Sequence, residues 1–190
     1  DGIGTNAAKI ETTGLTDFAA VTATDGIFLN NATSGAINVT ALGGVTGVTS
    51  TTSGAISITN SAAANIKVAS VVTAAGTDNV TLNAGAALDI DASVTAGGSV
   101  DLDSQAGSVD VAAGARVVAG GNGTTLTINS AGGAITLNAG TNDTETVTNT
   151  GTGTITIASN GTNAITLFDN SVSAADGLLT ITAGGNLAVT

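Results

Sequence analysis

The chain has 190 residues, of which 14 are acidic and three basic (Lys9, Lys67 and Arg116), so its formal net charge is −11. So few basic side chains argue against nucleic acid as a partner, since phosphate contacts need clustered Lys and Arg. The lack of Cys excludes disulfides, and no apolar run reaches the roughly 18 residues of a membrane-spanning helix, so we expect no membrane insertion. The absence of Met predicts a processed chain or part of a longer protein.

Hydrophobic residues make up 42% of the chain and charged residues only 9%, which favours a folded core over disorder. That core must consist of small aliphatic side chains, because Trp, Tyr and Met are absent and Phe occurs three times. Thr, Val and Ile favour strands, and the 27 Gly favour turns. The composition therefore predicts an all-β fold.

Short apolar–x–apolar segments recur along the whole chain and predict half-buried strands, because a period of two places both apolar residues on one face. In chain order they come in pairs: Ile27/Leu29 with Ile37/Val39, Ile56/Ile58 with Ile66/Val68, Val80/Leu82 with Leu88/Ile90, Val100/Leu102 with Val109/Val111, Leu126/Ile128 with Ile135/Leu137, Ile155/Ile157 with Ile165/Leu167, and Leu179/Ile181 with Leu187/Val189. A third apolar site follows each complete pair or precedes the first: Phe18, Val45/Val48, Val71/Val72, Val94, Val117/Val118, Val147 and Val172.

The pairs begin at spacings of 29, 24, 20, 26, 29 and 24 residues, so the series repeats itself after 99 residues. We divide the chain into a partial repeat over 1–25, a full one over 26–124 and a partial one over 125–190, all within one continuous domain, 1–190. The same offset matches Ile3, Ile10 and Phe18 to Leu102, Val109 and Val117. Three short strands per unit predict a parallel, right-handed β-helix of about eight three-strand rungs, the eighth incomplete.

A tandem array of immunoglobulin-like or cadherin-like sandwiches is the competing fold, because 99 residues is also the size of such a domain. Sandwiches usually contain a buried aromatic residue and Pro in their linkers, and this chain has no Trp, Tyr or Pro. The solenoid is the favoured interpretation.

Three segments carry a family resemblance: DNVTLNAGAALDIDAS at 78–93, GSVDLDSQAGSVDVAAG at 98–114 and GAITLNAG at 133–140. They resemble filamentous-haemagglutinin-like exoproteins and the repeat regions of large bacterial β-solenoid adhesins. The resemblance covers essentially the whole chain and is one of repeat texture. It implies a long fibre at the bacterial cell surface or outside the cell, used for attachment or as matrix.

A catalytic site is not expected. Carbohydrate-processing β-helices place carboxylates beside Lys, Arg or His, and here His is absent and the three basic residues are far apart in sequence. Lys67 should point outward and form an exposed ion pair with Asp89, one rung further on. We therefore predict that the chain is not an enzyme.

Five Asp residues are candidate calcium ligands: Asp89, Asp91, Asp101, Asp103 and Asp110. They flank inward-pointing aliphatics and so face outward, and Asp89 and Asp110 fall at equivalent positions of successive rungs. Stacked carboxylates repel, and Ca²⁺ would relieve the repulsion. The alternative is a solvated acidic strip that needs no cofactor, since the calcium signature GGxGxD is absent and GGNGTT at 120–125 has Thr in place of its Asp.

The outward residues of the first strands are mixed, and their order along the chain is Phe28, Ser57, Thr81, Asp101, Thr127, Thr156 and Thr180. The Thr residues suggest an ice-binding face, but the earlier residues interrupt it. Asn30, Asn60, Asn83, Asn129 and Asn138 follow strands and are expected to hydrogen-bond between rungs.

The function predicted from these patterns is a structural or adhesive segment of an extracellular fibre. Its partners would be neighbouring repeats or other copies stacked end to end, with cell-surface glycans or proteins as further candidates. The alternative functions are a self-assembling filament subunit and tandem sandwich domains of an adhesin.

Overall fold

A computed structural model describes residues 2–32, 35–61, 63–138, 146–168 and 171–190. These residues form 25 short β-strands and no helix. In the described part of the chain, all strand pairs but one are parallel, and they build three long sheets. The protein is a three-sided parallel β-solenoid, as the sequence predicts. We call each turn of the chain a rung and the three faces sheets 1, 2 and 3.

The strands of each sheet follow one another rung by rung. Sheet 1 consists of β1 (Ile10–Thr12), β4 (Ile27–Asn31), β9 (Ile56–Asn60), β12 (Val80–Ala84), β15 (Val100–Ser104), β18 (Thr125–Ser130), β21 (Thr154–Ser159) and β24 (Leu178–Ala183). Sheet 2 consists of β2 (Asp17–Phe18), β5 (Ile37–Val39), β10 (Ile66–Val68), β13 (Leu88–Ile90), β16 (Val109–Val111), β19 (Ile135–Leu137), β22 (Ile165–Leu167) and β25 (Leu187–Val189). Sheet 3 consists of β3 (Ala20–Thr22), β8 (Val48–Ser50), β11 (Val72–Ala74), β14 (Val94–Ala96), β17 (Val117–Ala119), β20 (Val147–Asn149) and β23 (Val172–Ala174).

Equivalent residues of successive rungs stack in columns. The first inward column of sheet 1 runs through Ile27, Ile56, Val80, Val100, Leu126, Ile155 and Leu179. Between Ile27 and Ile155 every member is 0–1% exposed, because aliphatic side chains pack against their equivalents above and below. The strand pairs and their order, predicted from alternation alone, are confirmed from Ile27 to the last strand.

The described residues make eight rungs, and the eighth has strands in sheets 1 and 2 only. One hydrophobic core runs through all of them. The alternative of tandem sandwich domains is therefore wrong, since sandwiches are antiparallel and each would have a core of its own.

Rung 1 departs from the 99-residue repeat. Ile3 pairs with Ile27, and residues 4–9 then project from the sheet before Ile10 pairs with Leu29 in the same sheet. The repeat predicts Ile10 in sheet 2 and Phe18 in sheet 3, but Phe18 pairs with Val39 in sheet 2. Ala20 begins the third strand instead. The prediction is wrong here because the excursion at 4–9 inserts six residues between Ile3 and Ile10. The strands that follow it therefore begin later in the chain than the 99-residue repeat predicts.

Rung 2 carries an antiparallel hairpin of β6 (Ala41–Leu42) and β7 (Val45–Thr46) between sheets 2 and 3. Its turn is Gly43–Gly44, with φ of 60° and 87°, the left-handed conformation that tight hairpin turns require. Val45 therefore belongs to the hairpin, and Val48 supplies the first inward residue of sheet 3 in this rung.

The end of each sheet 1 strand from β4 to β21 places a small residue inside the solenoid: Asn31, Asn60, Ala84, Ser104, Ser130 and Ser159. The polar members are buried, and their side chains bond to main-chain carbonyl groups in the turn of their own rung or of the rung before. Ser130 Oγ, for example, lies 2.7 Å from the carbonyl oxygens of Gly107 and Gly133 and accepts a bond from Gly133 N–H at 3.0 Å. These bonds satisfy buried main-chain groups where the chain leaves the sheet.

Candidate functional site

The five candidate calcium ligands lie on two faces. Asp89 and Asp110 are registered neighbours on sheet 2, and Asp91 follows β13 on the same side. Asp101 and Asp103 alternate with buried aliphatics on β15 of sheet 1. The structure therefore brings three of the five together on one face and separates them from the other two.

Lys67 occupies the space between Asp89 and Asp91. Its Nζ lies 2.9 Å from Asp89 Oδ2 and 2.5 Å from Asp91 Oδ2. Hydrogen bonds to the two carboxylates raise the pKa of Lys67, with the bond to Asp91 contributing most. The outward ion pair predicted for Lys67 and Asp89 is confirmed, and Asp91 is a second partner that the sequence did not indicate. An ammonium group holds the position where a cation bridging these two carboxylates would lie.

Asp110 stands beside this group and accepts a hydrogen bond from Asn138 Nδ2 at 3.0 Å. Partial burial raises the pKa of Asp110, and the neighbouring charge of Asp89 adds to the effect. The Asn138 amide also reaches the carbonyl of Val111 in the preceding rung at 2.9 Å, which confirms the expected hydrogen bond between rungs at this position. The acidic part of sheet 2 is thus satisfied by Lys67 and Asn138.

The carboxylate of Asp101 differs, because among the described residues it has no hydrogen-bond or ion-pair partner. Burial raises its pKa, and the like charge of Asp103, two residues away on the same face, raises it further. A half-buried carboxylate in this state is an acceptor for any ligand that brings a donor.

Asp101 lines an open groove of about 290 Å³ on the outer face of sheet 1. Two columns of polar side chains form its floor, Asn79, Ser99 and Thr125 in one and Thr81, Asp101 and Thr127 in the other. A second open groove of about 390 Å³ adjoins it and shares Asn79 and Thr81. Together they form a strip lined by residues of six rungs, which we call the sheet 1 groove.

The second groove is bounded by the excursion at 4–9. Lys9 Nζ lies 3.2 Å from Ser57 Oγ and 3.2 Å from Thr59 Oγ1. Ser57 points outward yet is only 9% exposed, because the excursion covers it. Phe28, Asn6 and Lys9 line this end of the groove.

Sequence reasoning identified Phe28, Thr81, Asp101 and Thr127 as one outward row but did not join them into a groove. It missed Asn79 and Ser99, which directly precede β12 and β15. The available signal was the alternation itself, because each of them lies two residues before a member of the outward row. Nothing in the sequence indicated that Lys9 would reach this face.

In the part of the chain that the structure describes, no three His, Cys, Asp or Glu side chains come together as a metal site would require. Calcium at the five Asp residues therefore stays a prediction. No helix among the described residues is long and apolar enough to cross a membrane.

Comparison with known proteins adds no family to this description: no family model, no curated protein and no solved structure matches the chain.

Proposed function

We propose that the chain is a structural segment of an extracellular bacterial fibre, the shaft of an adhesin or a matrix protein, and that it performs no catalysis. The supporting observation is the unbroken register of the solenoid. Inward columns run without interruption from rung 2 to rung 8, so the sheets form one stiff rod. At the spacing of neighbouring strands, eight rungs span roughly 35 Å.

The distribution of side chains supports the same proposal. Aliphatic residues fill the inside, and Thr, Ser, Asn and Asp cover the outside, so the rod can present a long polar surface without exposing its core. Both grooves described above are open, so neither would exclude water from a reaction. The resemblance to filamentous-haemagglutinin-like proteins supplies the extracellular location of the proposal.

A self-assembling filament is the second candidate, and its contact would form at the edge of rung 8. Inward-pointing Leu187 and Val189 are 51% and 72% exposed there, and another rung stacked on this edge would cover them. That rung could come from the same chain or from a second copy.

Electron microscopy of the native material, combined with mass determination of the denatured chain, separates the candidates. The shaft proposal expects rods whose single chains are far longer than 190 residues. Continuous fibres built from chains near 17.8 kDa would instead establish a filament subunit. Immunolabelling of intact source cells tests the location, and labelling confined to the cell interior would overturn the extracellular proposal.

A further inference from the structure

The sheet 1 groove approaches the dimensions of a ligand site, and its lining is mainly polar. Each of its halves, about 290 and 390 Å³, is near the lower end of the range of roughly 300–1,000 Å³ found for small-molecule sites. Both halves are open along the face, so a ligand need not end inside either of them. Successive rungs lie about 4.8 Å apart along the solenoid axis. This spacing is close to the length of one sugar residue, so successive sugars of a linear chain could meet successive rungs of the strip.

The polar groups of the floor are held in place by the rungs around them. Asn79 Oδ1 accepts the main-chain N–H of Ser99 at 2.8 Å, and Ser99 Oγ accepts the main-chain N–H of Thr125 at 3.0 Å. Asn79 is thereby oriented and keeps its amide NH₂ as a donor. A floor ordered before binding loses little conformational entropy when a ligand arrives.

Donors and acceptors alternate over a short distance in this floor. Asp101 contributes a carboxylate acceptor, and Thr81 and Thr127, its neighbours in the rungs before and after, contribute hydroxyl groups. Adjacent hydroxyls of a sugar ring can donate to a carboxylate and accept from an amide or hydroxyl group at the same time. Hydrogen bonds to a charged acceptor are the stronger ones.

Phe28 supplies an apolar surface at one end of the strip. A Cβ on Gly26 would lie 2.8 Å from Cε2 of Phe28, so the aromatic ring packs against this glycine and lies low on the face. Aromatic rings combine a large apolar surface with restricted motion, which suits them to the C–H face of a sugar ring. Lys9 and Asn6 bound the strip beyond this ring.

We propose that the sheet 1 groove binds an uncharged linear glycan, which lies along the solenoid axis. Phe28 packs beneath one sugar, and the carboxylate of Asp101 accepts hydrogen bonds from the hydroxyl groups of another. The inference rests on the proposed adhesive function and names the class of partner. A net charge of −11 and the carboxylates of Asp101 and Asp103 repel polyanions, so acidic glycans are excluded as occupants.

The test uses the purified chain and hexasaccharides as probes, with titration calorimetry as the readout. Cellohexaose, maltohexaose and chitohexaose represent uncharged chains, and a hexamer of galacturonic acid represents acidic ones. We expect at least one uncharged probe to bind with an affinity insensitive to NaCl. Phe28→Ala and Asp101→Asn should each weaken that binding about tenfold.

Matched controls lie outside the groove. Phe168→Ala removes an exposed aromatic ring near β22, and Asp110→Asn removes a carboxylate on sheet 2, and both should leave the affinity unchanged. Circular dichroism of each variant checks that the solenoid is intact. Equal losses in the groove variants and their controls would overturn the proposal, as would binding of the acidic probe alone.

Failure of this proposal can be told from failure of the proposed function. If no uncharged probe binds while electron microscopy shows rods of long chains, the groove is not a glycan site and the shaft remains. If the probes bind but the chains are short filament subunits, the glycan site stands and the shaft proposal falls.

Discussion

Rung 4 and rung 1 show how differently the same kind of sequence behaves inside the stack and at its first turn. In rung 4, Val80, Leu82 and Leu88 are fully buried between neighbours on both sides. In rung 1, Ile10 is 44% exposed although it is paired in sheet 1, because none of the described residues stacks on its other side. A rung cannot bury its own apolar face, so burial is a property of neighbouring rungs rather than of the strand.

The same two rungs differ in their loops. Rung 4 connects its strands by short turns, whereas rung 1 sends residues 4–9 across sheet 1 to place Lys9 on Ser57. This excursion bounds the sheet 1 groove. The regular rungs thus supply the rod, and the irregular turns decide what its surface looks like.

The largest expected effect is a cavity inside the stack. Leu82→Ala removes a fully buried side chain that stacks between Ile58 and Leu102, and we expect it to lower the free energy of unfolding by about 3–5 kcal/mol. The same change at the half-exposed Leu187 of rung 8 should cost less than about 1 kcal/mol. Urea denaturation measures both. Equal losses of unfolding free energy would contradict the view that neighbouring rungs determine how much a side chain stabilises the fold.

A glycine pair tests contact between rungs at the level of the main chain. Gly47 has φ of 69°, and a Cβ there would lie 2.0 Å from the carbonyl oxygen of Val71 in the next rung. Gly43 has φ of 60° but open space around it. Gly43→Ala should cost about 1 kcal/mol for the backbone conformation alone. Gly47→Ala should cost about 3 kcal/mol, because the neighbouring rung must also move. Thermal unfolding of the two variants distinguishes them, and a smaller loss at Gly47 would be the contrary result.

The buried serines at the ends of the sheet 1 strands should contribute less to the free energy of unfolding than the aliphatic core residues do. Ser130→Ala removes the hydroxyl that bonds the main chain at Gly107 and Gly133, and we expect a loss of about 1–2 kcal/mol. Ala84 already fills the same position two rungs earlier, so the change creates no clash. Ser173→Ala on the outer face of sheet 3 is the control and should stay within about 0.5 kcal/mol of the parent. A loss at Ser173 as large as the loss at Ser130 would show that the hydrogen bonds of Ser130 with Gly107 and Gly133 do not stabilise the fold.

The smallest effect concerns the pH dependence at Asp101. Its raised pKa means that the folded chain holds this proton more tightly than the unfolded chain, so ionisation costs stability as pH rises above the ordinary value of 3.8. Asp101→Asn should therefore be more stable than the parent at pH 7, by less than about 1 kcal/mol because solvent screens the site, and the gain should vanish near pH 3. Unfolding curves at both pH values measure it, with Asp176→Asn as a control for net charge. A gain in stability that persists at pH 3 would show that it does not come from removing the ionised carboxylate of Asp101.

Much of this molecule is predictable from the sequence because alternation is a local property. Residues i and i+2 of a strand face the same way whatever surrounds them, so Ile56, Ile58 and Thr81 could be assigned to the inside or the outside without a structure. Repetition of the pattern then implied stacking, since no single rung has a core. The ion pair of Lys67 with Asp89 followed from the same register.

Only the tertiary structure shows which paths the segments between the strands follow. Residues 4–9 and the approach of Asp91 to Lys67 depend on contacts between residues far apart in the chain, which a period of two does not encode. The sheet 1 groove is of this kind, because its outward row is visible in the sequence whereas its boundary at Lys9 is not. By itself the sequence determined which side chains face in and which face out, and the packing of one rung on another determined which outward residues meet.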